Sequence, residues 1–111
     1  MNYIFLLLAH YVGDYALQND YMALNKGKDN YVLFAHVATW TVIVSAAALL
    51  LGLPVNAFMI VFVLLVPHEI MDFIKARNLL WCKSVSPHTA LVIDQVFHLV
   101  QITVFYILLA A

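Results

Sequence analysis

Three apolar stretches of this 111-residue chain each carry a histidine and an aspartate four residues apart. His10 and Asp14 form the first pair, His68 and Asp72 the second, and Asp94 and His98 repeat the spacing with the order reversed. Residues three and four apart share one face of an α-helix, so each pair makes a stripe, and Lys75 extends the second stripe by another turn. Ionisable side chains on a helix that otherwise faces lipid are costly to keep, and they mark a pathway, a proton relay or a metal site. The fold must therefore be one in which several helices turn these stripes toward each other.

The surrounding sequence says what kind of helices these are. Of the residues, 66% are hydrophobic and 10% charged, against roughly 45–50% and 25% in soluble domains. The expectation is an all-α integral membrane protein, a four-helix up-down bundle. A hydrocarbon core about 30 Å thick takes roughly 20 helical residues, which leaves room for four spans and no large domain outside the membrane. A net charge of -1 says little about partners, and with no basic run nothing points to nucleic acid, so no nucleic-acid partner is expected. Cys82 stands alone and makes no internal disulfide. The N-terminal stretch has no basic n-region or small-residue cleavage site and reads as mature sequence.

The whole of 1–111 reads as a single transmembrane domain with helices over about 3–24, 31–51, 54–80 and 87–109. In the first, His10, Asp14, Gln18 and Tyr21 form the polar stripe, with Phe5, Leu6, Val12, Tyr15 and Ala16 on the lipid side. NKGKDN, 25–30, is the first loop. The second helix is apolar except for His36, with Trp40 on its face; Gly52 ends it and Pro54 suits the first turn of the third. Pro67 removes a backbone hydrogen bond from the carbonyl of Val63 and predicts a kink before His68. Ser86-Pro87 is an N-cap and first-turn pair for the fourth helix.

Lys26, Lys28, Lys75, Arg77 and Lys83 all fall in or beside the two loops at one end of such a bundle. The positive-inside rule puts both loops in the cytoplasm and both termini in the periplasm, with the chain multi-pass in a bacterial inner membrane. Counting from the loops, Asp14, Asp72, Asp94 and His36 fall at one depth. His10, His68 and His98 lie four residues deeper, about 6 Å, in a second layer. The Asp-His order reverses in the last pair because that helix runs the other way.

Three aspartates and Lys75 leave two negative charges, which a low-dielectric bundle tolerates poorly without a counterion. One divalent cation neutralises them, and imidazole with carboxylate suits Zn, Mn or Fe. Helical bundles hold such ions on inward-facing His and carboxylate side chains. The expected ligands are His10, Asp14, His36, His68, Asp72, Asp94 and His98, enough for one ion or two, with Gln18, Gln95 and Gln101 orienting them from outside. Blander roles compete residue by residue. A single His-Asp pair serves as an interhelical hydrogen bond, and Lys75 snorkels to the surface. His88, Asp20, Asp29 and Glu69 read as solvated or interfacial, and Tyr3, Tyr31, Trp81 and Tyr106 as interface anchors.

The series His10-x3-Asp14-x3-Gln18, His36, His68-x3-Asp72-x2-Lys75 and Asp94-Gln95-x2-His98 resembles an uncharacterised family of small bacterial and phage membrane proteins, a domain-of-unknown-function family, over essentially the whole chain. More loosely, the scatter of His and Asp over short membrane helices is similar to that of LexA-regulated, membrane-bound, metal-dependent hydrolases. The second resemblance implies a metal-dependent hydrolase of a lipid or lipid-linked phosphate. Asp72 and Asp94 would then be candidate bases, and Lys75 the group that holds the phosphate. Rival expectations are a proton or metal transport protein, and a non-catalytic factor, either holin-like or acting on a host membrane complex, in which the polar cluster only joins helices. A homo-oligomer or a host membrane protein partner fits a chain this small.

Overall fold

A computed structural model of the chain describes residues 2–16 and 19–110. Among them every regular element is helical. The order is α1 (Asn2–Tyr11), a π-helical turn (Val12–Ala16), α2 (Asp20–Asn25), α3 (Asn30–Leu50), α4 (Ala57–Met59), a second π-helical stretch (Ile60–Leu65), α5 (Val66–Ala76), a 3₁₀ segment (Leu80–Ser84) and α6 (Pro87–Ala110). Three runs are long and apolar enough to cross a membrane: Asn30–Leu50, Ala57–Ser84 and Pro87–Ala110.

The expected first helix is interrupted. Asn19 has extended backbone and its side chain accepts from the Met22 amide, so a new helix starts there by capping. The break takes Tyr21 off the polar stripe and leaves it exposed. Gln18, like the side chains of Tyr15 and Ala16, lies outside the described residues. Leu6, expected on the lipid side, is fully buried, because it stands one turn before His10 and belongs to the inward stripe; Phe5 and Val12 do face outward.

The third helix starts later than expected. Gly52, in the left-handed region at φ 77°, ends α3 as expected, but Pro54 lies in the connection, and Asn56 caps the next helix by accepting from the Met59 amide. Proline's missing N–H then has its effect at Pro67, where the helix passes through the π-helical stretch. The carbonyls of Val63 and Leu64 accept instead from Gln101 Nε2 of α6, at 2.8 and 2.7 Å. At the far end of α5 the chain turns through Asn78 and Leu80, both at positive φ, so the α-helix stops at Ala76 short of the expected 80. Ser86 Oγ accepts from the Thr89 amide and starts α6 as read.

α1 packs against α3 and α6, and α5 packs against the same two, so α1 and α5 face each other across the bundle. Gly13 sets the first contact: a Cβ there would lie 3.0 Å from Trp40 Cα. Gly27 plays the same part at the loop end, where a Cβ would meet the Ala76 carbonyl at 2.7 Å. Leu6, Ala9, Trp40, Val44, Leu64, Ile102 and Phe105 form a buried apolar core. The exterior is apolar as well, with Ile4, Leu8, Val42, Phe62, Ile70, Val96, Val100 and Ile107 all exposed. In lipid, apolar contact does not distinguish inside from outside, and the polar cluster must supply that difference.

Candidate metal centre

Four helical ladders build the site. Leu6, His10 and Asp14 follow one another at intervals of four residues, as do Val44, Trp40 and His36, Leu64, His68 and Asp72, and Ile102, His98 and Asp94. Each ladder starts in the apolar core, passes through an aromatic or imidazole ring, and ends in a carboxylate or His36. One helical turn, about 6 Å, separates the rungs. His10, His36, His68 and His98 are all buried, as are Asp72 and Asp94, and the Asp14 side chain is 9% exposed.

The ring layer is continuous: His68 stacks on Trp40 and on His98, with centroids 4.0 Å apart in both pairs, and His10 stands edge-on to Trp40. The histidine tips reach into the aspartate layer, so the two depths meet. His36 Nε2 lies 3.2 Å from Asp14 Oδ1 and 3.2 Å from Asp72 Oδ2. His68 Nε2 lies 3.7 and 3.1 Å from the same two oxygens. His98 Nε2 lies 3.4 Å from the other oxygen of Asp72, Oδ1, and 3.0 Å from Asp94 Oδ1. Two groups thus have the spacing of a metal site: Asp14, His36, His68 and Asp72, and Asp72, Asp94 and His98.

The first group fits an ion closely. Zinc–ligand bonds of about 2.0–2.2 Å in a tetrahedron separate neighbouring ligand atoms by about 3.3 Å; the four distances among its nitrogen and oxygen atoms run from 3.1 to 3.7 Å. His68 Nε2 and Asp72 Oδ2 sit 3.1 Å apart. Both are buried, yet neither makes a hydrogen bond of acceptable geometry among the described residues; His68 Nδ1 makes none either. Buried polar atoms are ordinarily hydrogen-bonded, and two that converge without such a bond fit the ligands of a cation.

The outer partners set which ring nitrogens are free. Gln101 Nε2 is committed to the carbonyls of Val63 and Leu64, which turns its Oε1 toward His98 Nδ1 at 3.3 Å. With acceptors at both ring nitrogens, Gln101 Oε1 at Nδ1 and Asp94 Oδ1 at Nε2, His98 donates from both, and a metal ion would take the place of the Nε2 proton. His10 differs at Nδ1. Trp40 Nε1 donates to its Nδ1 at 2.9 Å, so Nε2 carries the proton and donates to Gln95 Oε1 at 3.2 Å. Gln95 in turn donates through Nε2 to Asp14 Oδ2 and Asp94 Oδ2, at 3.2 Å each. His10, expected as a ligand, is thereby placed one step outside, orienting Gln95 and through it two carboxylates.

On the loop side, a polar cavity of about 110 Å³ opens onto these oxygens, lined by Asp14, Lys26, Asp72, Lys75, Leu91, Asp94 and Gln95. Lys75 Nζ turns inward, 3.4 Å from Asp94 Oδ2. His88 is exposed, as read, and belongs to neither group. Trp40 and Lys26 had no assigned role at the site. The four-residue step from His36 to Trp40 was the available signal for the first; Lys26 gave none, since it reaches the cavity from a loop.

One comparison with known proteins returns a match. A protein-family model described as a protein of unknown function (DUF3307) matches residues 3–111. The chain belongs to the DUF3307 family. The match takes in all four ladders of the site, so the resemblance to an uncharacterised family of unknown function holds for the family as a whole. No curated protein and no solved structure matches.

Proposed function

We propose that this member of the DUF3307 family is a multi-pass inner-membrane metalloprotein that binds a divalent transition metal (Zn, Mn or Fe) between Asp14, His36, His68 and Asp72, with Asp94 and His98 beside it, and hydrolyses a lipid or lipid-linked phosphate. The carrying observation is the convergence of His68 Nε2 and Asp72 Oδ2, buried and without a hydrogen bond of acceptable geometry, with His36 and Asp14 at tetrahedral spacing. A metal held on the cavity side of this cluster, where Asp72 and Asp94 face Lys75 and Lys26, would act as a Lewis acid on a phosphoryl oxygen and make water a better nucleophile. Water oxygen bonds to phosphorus, the ester P–O bond breaks, and the alcohol leaves with a proton. Lys75 and Lys26 line the cavity where that phosphate would enter.

Location supports a lipid substrate. The cavity opens at the lysine-bearing end, which the positive-inside rule assigns to the cytoplasm, within reach of the headgroup layer. A transport role is disfavoured, because the stacked rings and the fully buried Leu6, Leu64, Ile102 and Phe105 seal the bundle beyond the site.

The test is hydrolysis of phosphorylated lipids in mixed micelles by the purified protein, with and without added metal. Asp72→Asn keeps the side chain's size and removes a ligand charge, and it should abolish turnover while the protein stays folded. Lys75→Met should raise KM for a phosphorylated lipid without lowering metal content. Full turnover in Asp72→Asn would refute the reading.

A further inference from the structure

We infer that the centre takes two metal ions bridged by Asp72, one closed off by the protein and one open to a phosphate monoester in the lysine-lined cavity. The inference rests on the metal-binding reading above and deepens it.

The two oxygens of Asp72 point to different partners. Oδ2 lies 3.2 Å from His36 Nε2 and 3.1 Å from His68 Nε2, whereas Oδ1 lies 3.4 Å from His98 Nε2. A carboxylate that offers one oxygen to each of two ligand sets has the geometry of a bridge, which in two-metal sites spans ions about 3.5–4 Å apart. The sets are unequal. Asp14, His36, His68 and Asp72 supply four ligand atoms and complete a tetrahedron, the pattern of a closed, structural ion. Asp72, Asp94 and His98 supply three, the number that leaves a catalytic ion a position for an exogenous ligand.

That position has a direction. Asp72 and Asp94 both line the polar cavity, together with Lys75 and Lys26. Charge then selects the ligand: three carboxylates against two dications and Lys75 leave two positive charges in a low-dielectric site, and Lys26 adds to them. An anion of charge about −2 balances this pair, and a phosphate monoester carries that charge near neutral pH. A neutral or zwitterionic headgroup would not. Lys75, held by Asp94 Oδ2 at 3.4 Å, is placed to exchange that contact for a phosphoryl oxygen.

The experiment loads chelator-stripped, detergent-solubilised protein with Mn²⁺, counts ions per chain by elemental analysis, records the EPR spectrum, and titrates inorganic phosphate. The expected result is two ions per chain with an exchange-coupled spectrum, and saturable phosphate binding. Asp94→Asn should hold one ion with an uncoupled signal and bind phosphate at least tenfold more weakly. Lys75→Met should keep both ions and their coupling but bind phosphate about tenfold more weakly. If Asp94→Asn fails to fold, the count and coupling in the unsubstituted protein decide alone. One ion per chain at saturation, or two uncoupled ions, overturns the bridge and leaves the metal-binding reading intact. No bound ion overturns both.

Discussion

Gln101 offers His98 an acceptor and nothing else: both hydrogens of its amide go to the carbonyls of Val63 and Leu64, and its Oε1 faces His98 Nδ1 at 3.3 Å. A backbone irregularity caused by Pro67 on one span thus determines which nitrogen of a histidine on another can reach the aspartates. The same amide donates to two carbonyls in the turn before Pro67, which has no N–H to offer the Val63 carbonyl.

Gln101→Leu should therefore do two kinds of damage. Losing the acceptor on His98 Nδ1 should weaken metal affinity about 10- to 100-fold, the usual effect of removing an outer partner of a metal-binding histidine. Orphaning the two carbonyls should cost about 1–3 kcal/mol of stability. Chelator competition and thermal unfolding in detergent check both, and unchanged affinity would remove His98 as a ligand.

Trp40→Phe keeps a ring in the stack against His68 and removes only the N–H that fixes His10. The fold should persist. With the His10 tautomer released, Gln95 loses its fixed orientation toward Asp14 and Asp94, and metal affinity should fall several-fold. His36→Ala removes a direct ligand and should fall much further. Isothermal titration with Zn²⁺ ranks the two, and the reverse order would contradict the assignment of inner and outer partners.

How much of this was legible in the sequence follows from the range of the interactions. The ladders were, because an i, i+4 relation is fixed by helix geometry wherever the helix goes. The same rule, carried one turn further, places Leu6 inside. The break at Asn19 was not legible from the polar stripe, which continues in register to Tyr21 while the backbone changes course. Nor was the place of His10 outside the two groups at metal-site spacing: its residue type and depth match those of His68, and only the indole N–H arriving from Trp40, thirty positions away, sets it apart. Pro67 did announce its freed carbonyl, but that Gln101 would cap it is a tertiary fact.

Gly13→Ala should separate α1 from α3. The added Cβ meets Trp40 Cα at 3.0 Å and Cδ1 at 3.1 Å, and a backbone atom cannot swing away. Overpacking of this kind costs about 1–3 kcal/mol, so the unfolding temperature should drop and metal affinity with it, since Asp14 is the next residue. Wild-type stability would contradict the close approach.

Topology is testable without metal. Cysteines introduced as Lys28→Cys and Lys83→Cys should react with a membrane-impermeant thiol reagent only after the cells are opened, and Asn2→Cys should react in intact cells. Labelling of the two loops from opposite sides would break the shared depth on which the four ladders depend.

Acid should strip the ion, because protons compete for the imidazoles and carboxylates that hold it. Affinity should fall steadily as pH drops from 7.5 to 5, by equilibrium dialysis against Zn²⁺. A flat profile would point to ligands other than these histidines.

The most direct measurement is the metal content of the protein purified from the membrane without chelator, for the unsubstituted chain, His68→Ala and His88→Ala. At least one transition-metal ion per chain is expected in the first, a loss of most of it in His68→Ala, and no change in His88→Ala, whose imidazole lies outside the site. Metal absent from all three, or lost equally from both variants, would contradict a metal centre built on His68.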